Sequence, residues 1–429
     1  MREMKNSGVE WLESIPETWN LLQLGSLFSE HKHKNIGMQS SNLLSLSYGK
    51  IIRKDINTTD GLLPESFEGY NVIGAGDIVL RLTDLQNDQR SLRVGLCGEN
   101  GIITSAYTTL RRRNDAISSK YFYYLLHSYD VRKGFYGMGA GVRQGLNYAG
   151  VRKIMLAVPS EREQTAIAEC LDQKIAQVDA LIANVQAQIE KLKAYKQSLI
   201  TEVVTKGLDP NAPMKDSGVE WLGAVADTRR IFRLKYLLNF PMQYGANESG
   251  DKYTDGSVRY IRITDITADG KLKDDENNQY ISDTIASEYT LKDGDVLFAR
   301  SGGTVGKSFL FRKEYGQCAF AGYLIKAECN QKVLLPEYLI YYTQSSLYNL
   351  WKNMIFIQAT IQNIGANKYS NMEIPIPTIA EQESIVEHLK TKCSQIDQLI
   401  SLKESKIEKL QQYKRSLIYE YVTGKKEVV

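Results

Sequence analysis

An internal repeat constrains the fold of this chain more than any other feature of its sequence. The nine residues Met4–Leu12 recur as Met214–Leu222 with eight identities, at an offset of 210. A longer match aligns residues 159–208 with 377–426 without gaps at an offset of 218, and about 23 of its 50 positions are identical. The regions between these matches are much less alike. The order of segments therefore predicts two related units, each with a variable domain and a similar helix, in a pseudo-two-fold molecule.

The longer repeat reads as a coiled-coil helix. Residues 161–205 contain neither proline nor glycine, and their apolar residues follow alternating steps of three and four. The first seam consists of Leu171, Ile175, Val178, Ile182, Val185, Ile189, Leu192, Leu199 and Val203, and the second of Leu389, Cys393, Ile396, Ile400, Ile407, Leu410, Leu417 and Tyr421. A helix of about 45 residues is roughly 67 Å long. Since one such helix cannot bury its seam alone, the two copies are predicted to pair, most simply antiparallel.

Three lysines interrupt the seams. Lys196 and Lys414 are equivalent positions of the two copies, and Lys403 lies in the second copy. Their aliphatic stems could extend out of the seam and place the ammonium groups in water. Alternatively, the lysines could set the register of the two helices or contact a partner.

The two variable regions read as mixed α and β. The first has strand-like runs at 77–82, 101–105 and 107–110 and a helix near 119–128; the second has strand-like runs at 258–263, 295–299, 308–311 and 323–327 and a helix near 336–345. The predicted fold class is therefore α+β, with two globular mixed α/β domains that alternate with two long helices paired as an antiparallel coiled coil.

Charge is distributed unevenly along the chain. The 53 basic and 50 acidic residues leave a net charge of +3, which excludes a strongly basic, histone-like DNA binder. Residues 20–158 carry 17 basic and 11 acidic residues, net +6, including Arg111–Arg113 and Arg152–Lys153. Residues 231–375 carry 16 of each. Because neutralisation of phosphates supplies much of the affinity for DNA, the neutral domain is expected to need a partner's help.

Cysteine and histidine usage gives no sign of a metal site. The five cysteines are scattered and never spaced C-x-x-C, which disfavours zinc or a disulfide framework and fits a reducing cytoplasm. His31 and His33 read as part of a solvated basic loop, and no metal is expected. The N-terminal residues are polar, and no apolar run approaches the roughly 20 residues that span a bilayer. A cytoplasmic protein without a membrane partner is expected.

Two glycine motifs resemble cofactor-binding sequences. Phe135–Gly139 matches F-x-G-x-G of S-adenosylmethionine-binding methyltransferases, but the chain has no Pro-Pro pair for the catalytic motif of an amino-methyltransferase. Ser301–Ser308 nearly matches the P-loop, with Ser301 in place of the first glycine. Phe309–Phe311 reads as a strand, whereas a P-loop leads into a helix. The segment is therefore interpreted as a Gly-rich hairpin that presents Arg300 and Lys307 to a DNA phosphate or groove, or as a plain tight turn.

Taken together, these features resemble one family. They are two dissimilar domains alternating with two similar helices, Ser-Gly-Val-Glu-Trp-Leu at 7–12 and 217–222, the Glu-Gln start of each helix and Tyr-Lys-x-Ser-Leu-Ile near each helix end. The chain resembles the specificity subunit of a type I restriction–modification enzyme, and Gly294–Gly302 resembles a strand and loop of its target-recognition domains. In the first domain, Arg81-Leu82-Thr83-Asp84 departs from this pattern.

The resemblance implies an organisation and a set of partners. Residues 1–158 and 209–376 would be target-recognition domains, and 159–208 and 377–429 the spacer helices. Each domain would read one half of a split, asymmetric site in the major groove of double-stranded DNA, and the helices would set the gap. Half-site centres are expected about one turn, roughly 10 bp, apart.

The same resemblance implies that this chain is non-catalytic and binds no cofactor. Two modification subunits would dock on it and supply the S-adenosylmethionine chemistry. Motor–nuclease restriction subunits, expected to use ATP and Mg²⁺, would complete the complex.

Polar side chains that can form bidentate contacts with bases motivate the choice of candidate DNA-binding residues. They are Arg81, Thr83, Asp84, Arg143, Gln144 and Asn147 in the first domain, and Arg300, Ser301, Gly302, Thr304, Lys307, Gln358, Thr360 and Gln362 in the second. Two other functions stay open at this stage: a structural coiled-coil scaffold that does not read DNA, and a methyltransferase.

Overall fold

The computed structural model describes residues 2–57, 64, 66–85, 92–138, 145–267, 270–273, 276–357 and 362–428. The chain forms two compact units: Met1–Gln186 together with Ser405–Val429, called the N-terminal unit, and Ala187–Glu404, called the C-terminal unit. The boundaries fall inside the long helices, so each unit contains one variable domain and a part of both helices. None of the helices among the described residues is long and apolar enough to cross a membrane.

Both predicted long helices are present. The first spans Glu161–Lys206 and the second Ile379–Val422. Each begins after a capping hydroxyl: Ser160 Oγ accepts a hydrogen bond from the Glu163 amide, and Thr378 Oγ1 accepts one from the Glu381 amide. Each is followed by a glycine with positive φ, Gly207 at 89° and Gly424 at 72°, because the left-handed conformation that ends a helix is least costly for glycine.

Within each unit the two helices pair antiparallel. In the C-terminal unit, Lys196 Nζ lies 2.7 Å from Asp397 Oδ2, and Lys403 Nζ donates to Gln188 Oε1 at 2.6 Å. In the N-terminal unit, Lys414 Nζ lies 2.7 Å from Asp179 Oδ1. The two ion pairs are equivalent at the offset of 218. The lysines therefore favour one register of the helices, which supports the interpretation that they set the register. The predicted antiparallel pairing is confirmed.

Reversing one charge in the seam should weaken this pairing, and reversing both should restore it. We expect Asp397→Lys to lower the free energy of unfolding by about 1 kcal/mol, because it replaces a half-exposed attraction by a repulsion. Lys196→Asp combined with Asp397→Lys should recover at least half of that loss. Urea denaturation of the three variants measures the effect, and a double variant no more stable than Asp397→Lys would contradict a register role.

The N-terminal unit is built around a four-stranded antiparallel sheet, in the order Phe28–Glu30, Thr108–Arg112, Ile78–Leu80, Val94–Leu96. Strand pairs join Met4–Asn6 to Ser14–Pro16, Asn20–Gln23 to Met155–Val158, Leu44–Ser47 to Lys50–Arg53, and Asn71–Ile73 to Gly101–Ile103. Its helices are Leu24–Leu27, Phe67–Gly69, Ser119–Val131 and Tyr148–Val151. The three strands and the helix predicted for this domain are present. The other strands of the unit were not predicted.

The C-terminal unit repeats this framework. Its four-stranded antiparallel sheet has the order Gln243–Tyr244, Leu324–Ala327, Val296–Ala299, Ser308–Leu310. A three-stranded sheet has the order Gln279–Ser282, Ser257–Ile261, Cys318–Phe320, and strand pairs join Met214–Asp216 to Ala224–Ala226 and Arg230–Arg233 to Glu373–Ile376. Its helices are Leu234–Leu237, Ile263–Asp265, Asp283–Ala286, Ser287–Tyr289, Gly302–Thr304, Lys313–Tyr315, Pro336–Gln344, Ser346–Ile357 and Ala366–Ser370. The predicted fold class is confirmed.

The Glu-Gln start of each long helix has a structural role. Gln164 is buried, accepts a hydrogen bond from the Ser118 amide and donates one to the Pro159 carbonyl. Gln382 is fully buried, accepts from the Leu335 amide and donates to the carbonyls of Val333 and Pro377. In both units the glutamine thus joins the start of the long helix to the start of a domain helix, which fixes the domain on its spacer.

A buried tyrosine makes a second equivalent joint. The Tyr121 hydroxyl lies 3.1 Å from the Ala157 carbonyl oxygen and 3.0 Å from that of Val422. Tyr338 contacts the carbonyl oxygens of Pro375 and Val204 in the same way, at 2.8 and 3.2 Å. Each hydroxyl links a strand of its domain to the end of a long helix, and burial raises the pKa of both tyrosines.

Candidate nucleic-acid interface

The Gly-rich segment of the C-terminal unit is a hairpin loop. It joins the strand Val296–Ala299 to its antiparallel neighbour Ser308–Leu310. Gly302 and Gly306 have φ of 76° and 83°, conformations that disfavour any residue with a Cβ. The strand after Lys307 confirms the prediction that no helix follows, so the backbone amides are not arranged at a helix N-terminus as in a P-loop.

Arg300 lies among aromatic side chains at the start of this loop. Its backbone amide donates to the Tyr323 carbonyl at 3.0 Å, and its guanidinium carbon is 4.9 Å from the centre of the Tyr244 ring. Tyr244 and Tyr323 are 41% and 63% exposed. Among the described residues, Arg300 Nε has no hydrogen-bond partner. Arg300, the Tyr244 ring that it contacts and the exposed Tyr323 to which its backbone is bonded thus form a partly exposed cation–aromatic cluster, suited to bases and their edges.

The other candidates of this unit lie on the same loop and beside it. Ser301 forms an isolated bridge with Asn363, and the carbonyl of Arg300 accepts from the Ile364 amide. This places the exposed Gln362 beside the hairpin. Gly302 and Lys307 are exposed, whereas the buried Thr304 hydroxyl has no partner in the described part of the chain. Gln358 and Thr360 lie outside the described residues.

In the N-terminal unit, a buried arginine holds the corresponding loop. The Arg93 side chain is fully buried, and its guanidinium donates to the carbonyls of Arg81, Thr83 and Asp84 at 3.2, 2.7 and 3.1 Å. Arg93 Nε donates to the Tyr136 hydroxyl at 3.1 Å. One side chain thereby satisfies three carbonyls of a segment without helix or strand, so Arg93 determines the shape of the loop 81–84.

The carboxylate of Asp130 anchors Arg93 from below the loop. Asp130 Oδ2 accepts from the Arg93 backbone amide at 2.6 Å. Burial raises the pKa of Asp130 to about 6, and the charge of Arg93 opposes this rise. Sequence reasoning did not single out either residue, because a buried arginine cannot be told from a surface arginine by its neighbours in the chain.

The first-domain candidates divide into three groups. Arg81, Thr83 and Asp84 are partly exposed on the loop, and Asp84 has a φ of 53°. Asn147 caps a short helix, since its side chain accepts from the Gly150 amide; this occupies the amide oxygen that a base contact would need. Arg143 and Gln144 lie outside the described residues.

The basic run Arg111–Arg113 lines an open cavity of about 690 Å³. Arg111 forms a bidentate ion pair with the buried Asp77, and its pKa is raised by this hydrogen bonding. Arg112 pairs with the exposed Asp115, and Arg113 Nε donates to the Gly25 carbonyl. The buried ion pair therefore holds Arg111 in place. Arg112, in contrast, is paired with a carboxylate that is exposed to water.

Similar proteins point to one family. A family model described as a type I restriction modification DNA specificity domain matches residues 230–412. The type I restriction enzyme MjaVIII specificity subunit of Methanocaldococcus jannaschii is 23% identical, over 96% of this chain and 93% of its own. This chain is similar along nearly its whole length to a type I restriction specificity subunit.

Two solved structures share the fold of this chain. One is a chain from a study of complex assembly and conformational transition of the type I R-M system, with a TM-score of 0.71, 15% identity and coverage of 95% of this chain and 98% of that one. The other is the HsdS subunit from Thermoanaerobacter tengcongensis, with a TM-score of 0.50, 14% identity and coverage of 96% and 98%.

An exposed hairpin tip of the N-terminal unit was not predicted from the sequence. Tyr48 and Gly49 have φ of 46° and 78° and connect the strands Leu44–Ser47 and Lys50–Arg53, as in a type I′ turn. Tyr48 is 79% exposed. The sequence signal for this turn was the Tyr-Gly pair between two short alternating runs. The signal is weak because tyrosine is uncommon at positive φ.

The paired histidines of the N-terminal unit are not part of a metal cluster in the described part of the chain. No group of three or more histidine, cysteine or acidic side chains that could hold a metal occurs among the described residues. The rings of His31 and His33 stack 6.3 Å apart, and His31 Nε2 lies 3.0 Å from the Val72 carbonyl oxygen. Burial and the charge of Arg111 lower the pKa of His31. His31 is partly exposed and His33 is exposed, so the pair lies at the surface of the domain.

Proposed function

We propose that this chain, as a specificity subunit, reads a bipartite, asymmetric site on double-stranded DNA, one half with each variable domain. The observation that supports this most is the contrast between the two units. They share a four-stranded sheet and its joints to the long helices, yet corresponding loops present a cation–aromatic cluster at Arg300 in one unit and Arg81–Asp84, shaped by Arg93, in the other. A common frame with different readers predicts two different half-sites.

The chemistry of the readers suits base edges. Arginine can donate two hydrogen bonds to the O6 and N7 atoms of guanine in the major groove. Exposed tyrosines such as Tyr323 add stacking surface, and the loop of the C-terminal unit places both groups together. In this proposal the chain has no catalytic role and selects the DNA, while the two long helices fix the gap between half-sites.

Exposed apolar residues on the long helices are the proposed contacts for the partner subunits. Leu181 and Tyr413 are about half exposed in the N-terminal unit, as are Tyr195 and Leu399 in the C-terminal unit. Leu181 is equivalent to Leu399, and Tyr195 to Tyr413, at the offset of 218. A pair of repeated apolar patches suits two copies of one partner. We assign them to two modification subunits, which would bring S-adenosylmethionine; restriction subunits with ATP and Mg²⁺ would complete the complex.

Sequencing of methylated DNA tests this proposal. Cells that lack other type I systems would carry this chain with its modification subunits, and single-molecule sequencing would map the methylated positions. We expect a split motif with a fixed gap. Methylation without a split motif, or none above that of cells lacking this chain, would favour a structural scaffold that does not read DNA.

The variant Arg300→Ala tests the assignment of one reader. We expect it to relax or abolish one half of the motif, with a loss of about 1–3 kcal/mol in discrimination at the affected base pair, and to leave the other half unchanged. The measurement is the same methylation map. Lys332→Ala, an exposed cation on the same unit, is the matched control and should leave both halves intact; an unchanged motif with Arg300→Ala would exclude Arg300 as a base reader.

A further inference from the structure

A groove of about 720 Å³ lies in the C-terminal unit beside the last residues of the Gly-rich loop. The backbone of Gly306 and Lys307 there pairs with that of Ala299, next to Arg300. The walls of the groove are Gly306–Ser308 of the hairpin, the two domain helices Pro336–Gln344 and Ser346–Ile357, and parts of both long helices. Four lysines line it, Lys196, Lys271, Lys307 and Lys352, together with two carboxylates, Asp397 and Glu404. The domain as a whole is neutral, so this groove carries a local excess of positive charge.

Lys352 is the unusual member of the four. It is partly buried, and its Nζ lies 6.0 Å from the centre of the Tyr348 ring. Burial alone lowers its pKa, with no carboxylate acting to raise it. Among the described residues no hydrogen bond or ion pair holds its ammonium group, whereas Lys196 in the same groove is held by Asp397. Desolvation of a cation without a counter-charge is unfavourable, so an anion that enters the groove would gain from Lys352.

The hairpin is shaped around this lysine. Gly306 has a positive φ, and a Cβ at that position would overlap Cδ of Lys352. The next residue, Lys307, is exposed. The hydroxyls of Ser308 and Thr343, 2.6 Å apart, line the same wall. The glycine thus lets the stem of Lys352 pass beneath the loop, which places two ammonium groups and two hydroxyls around one space.

We propose that this groove binds a phosphate of the DNA backbone, with Lys352 and Lys307 as its cationic ligands. The inference rests on the proposed function and adds a contact that holds DNA without reading its sequence. Ammonium groups act on phosphate as point charges. The Thr343 hydroxyl donates to the Ile340 carbonyl and is paired with that of Ser308, so the two lysines carry the proposed contact. The same hairpin carries Arg300 on its other strand, next to the residue that pairs with Gly306 and Lys307, so a backbone contact here would set the register of that reader on the duplex.

Salt dependence of binding separates this contact from a base contact. The complex of this chain with its modification subunits would be titrated with a duplex that contains the methylated motif and with an unrelated duplex, at several salt concentrations. Each lost phosphate contact lowers the slope of log K against log salt by about 0.9. We expect Lys352→Met and Lys307→Met each to lower the slope by about that amount on both duplexes, because a contact with the phosphate backbone does not depend on sequence. Lys352→Arg should retain the slope.

One control variant and a second groove variant keep the outcome interpretable. Lys313→Met removes an exposed lysine outside the groove and should leave the slope unchanged. Lys307 is exposed, so Lys307→Met reports on the groove even where Lys352→Met reduces folding. Unchanged slopes in both groove variants, with specific binding by the wild-type complex, would overturn the phosphate site and leave the proposed function intact. Weaker association with the modification subunits at an unchanged slope would also overturn it and assign the groove to acidic side chains of that partner. Absence of specific binding by the wild-type complex would instead reject the proposed function.

Discussion

Replacement of Arg93 by methionine is expected to lower the free energy of unfolding of the N-terminal unit by about 3–5 kcal/mol. This is the range for the loss of one partner from a buried charged network, and methionine fills similar volume without any donor. The carbonyls of Arg81, Thr83 and Asp84 would lose their shared donor. Loss of the nearby positive charge should also raise the pKa of Asp130 further. Chemical denaturation followed by tyrosine and tryptophan fluorescence measures the loss.

The same variant should alter one half of the recognised site. A misplaced loop 81–84 would relax the half read by the N-terminal unit, and the half read through Arg300 should persist. Tyr136→Phe removes a single hydrogen bond from Arg93. We expect it to relax the same half-site more weakly and to lower the free energy of unfolding by about 1 kcal/mol or less. The matched control is Arg112→Met on the exposed basic run. If Arg93→Met left the methylation motif intact at a temperature where the unit is folded, the loop would have no part in reading.

Replacement of Gln382 by leucine has the second largest expected effect. The change removes three hydrogen bonds at the base of the second long helix, one accepted from Leu335 and two donated to Val333 and Pro377. Each buried group left without a partner costs about 1–3 kcal/mol, so we expect the C-terminal unit to lose at least about 3 kcal/mol. Thermal unfolding of the full chain should show one transition shifted to lower temperature, since the affected joint lies in one unit.

Equivalent and surface variants provide the comparison. Gln164→Leu removes the equivalent joint from the N-terminal unit. We expect a similar decrease in the free energy of unfolding, in the N-terminal unit instead of the C-terminal unit. Gln411→Leu, at an exposed position of the second long helix, should change stability by no more than about 0.5 kcal/mol. A loss as small for Gln382→Leu as for Gln411→Leu would show that the Glu-Gln motif does not hold the domain on its helix.

Several parts of the site followed from local sequence. The hairpin at Ser301–Ser308 was predictable because glycines at Gly302 and Gly306 allow positive φ and a strand-like run follows Lys307. The seam of the helices was predictable because residues three and four apart share one face. The role of the seam lysines was not, since Lys196 and Asp397 are 201 residues apart, and only the antiparallel pairing brings them together.

The repeat, the helices and the α+β class were determined by the sequence alone, because identity at a fixed offset and helical periodicity are properties of neighbouring residues. The tertiary structure decided which charges are buried. Arg93 and Lys352 look like surface residues in the sequence, yet the fold encloses Arg93 among carbonyls of its loop and places Lys352 beneath Gly306. Burial depends on contacts between segments far apart in the chain, and in this protein those contacts shape one reading loop and form the groove we assign to a phosphate.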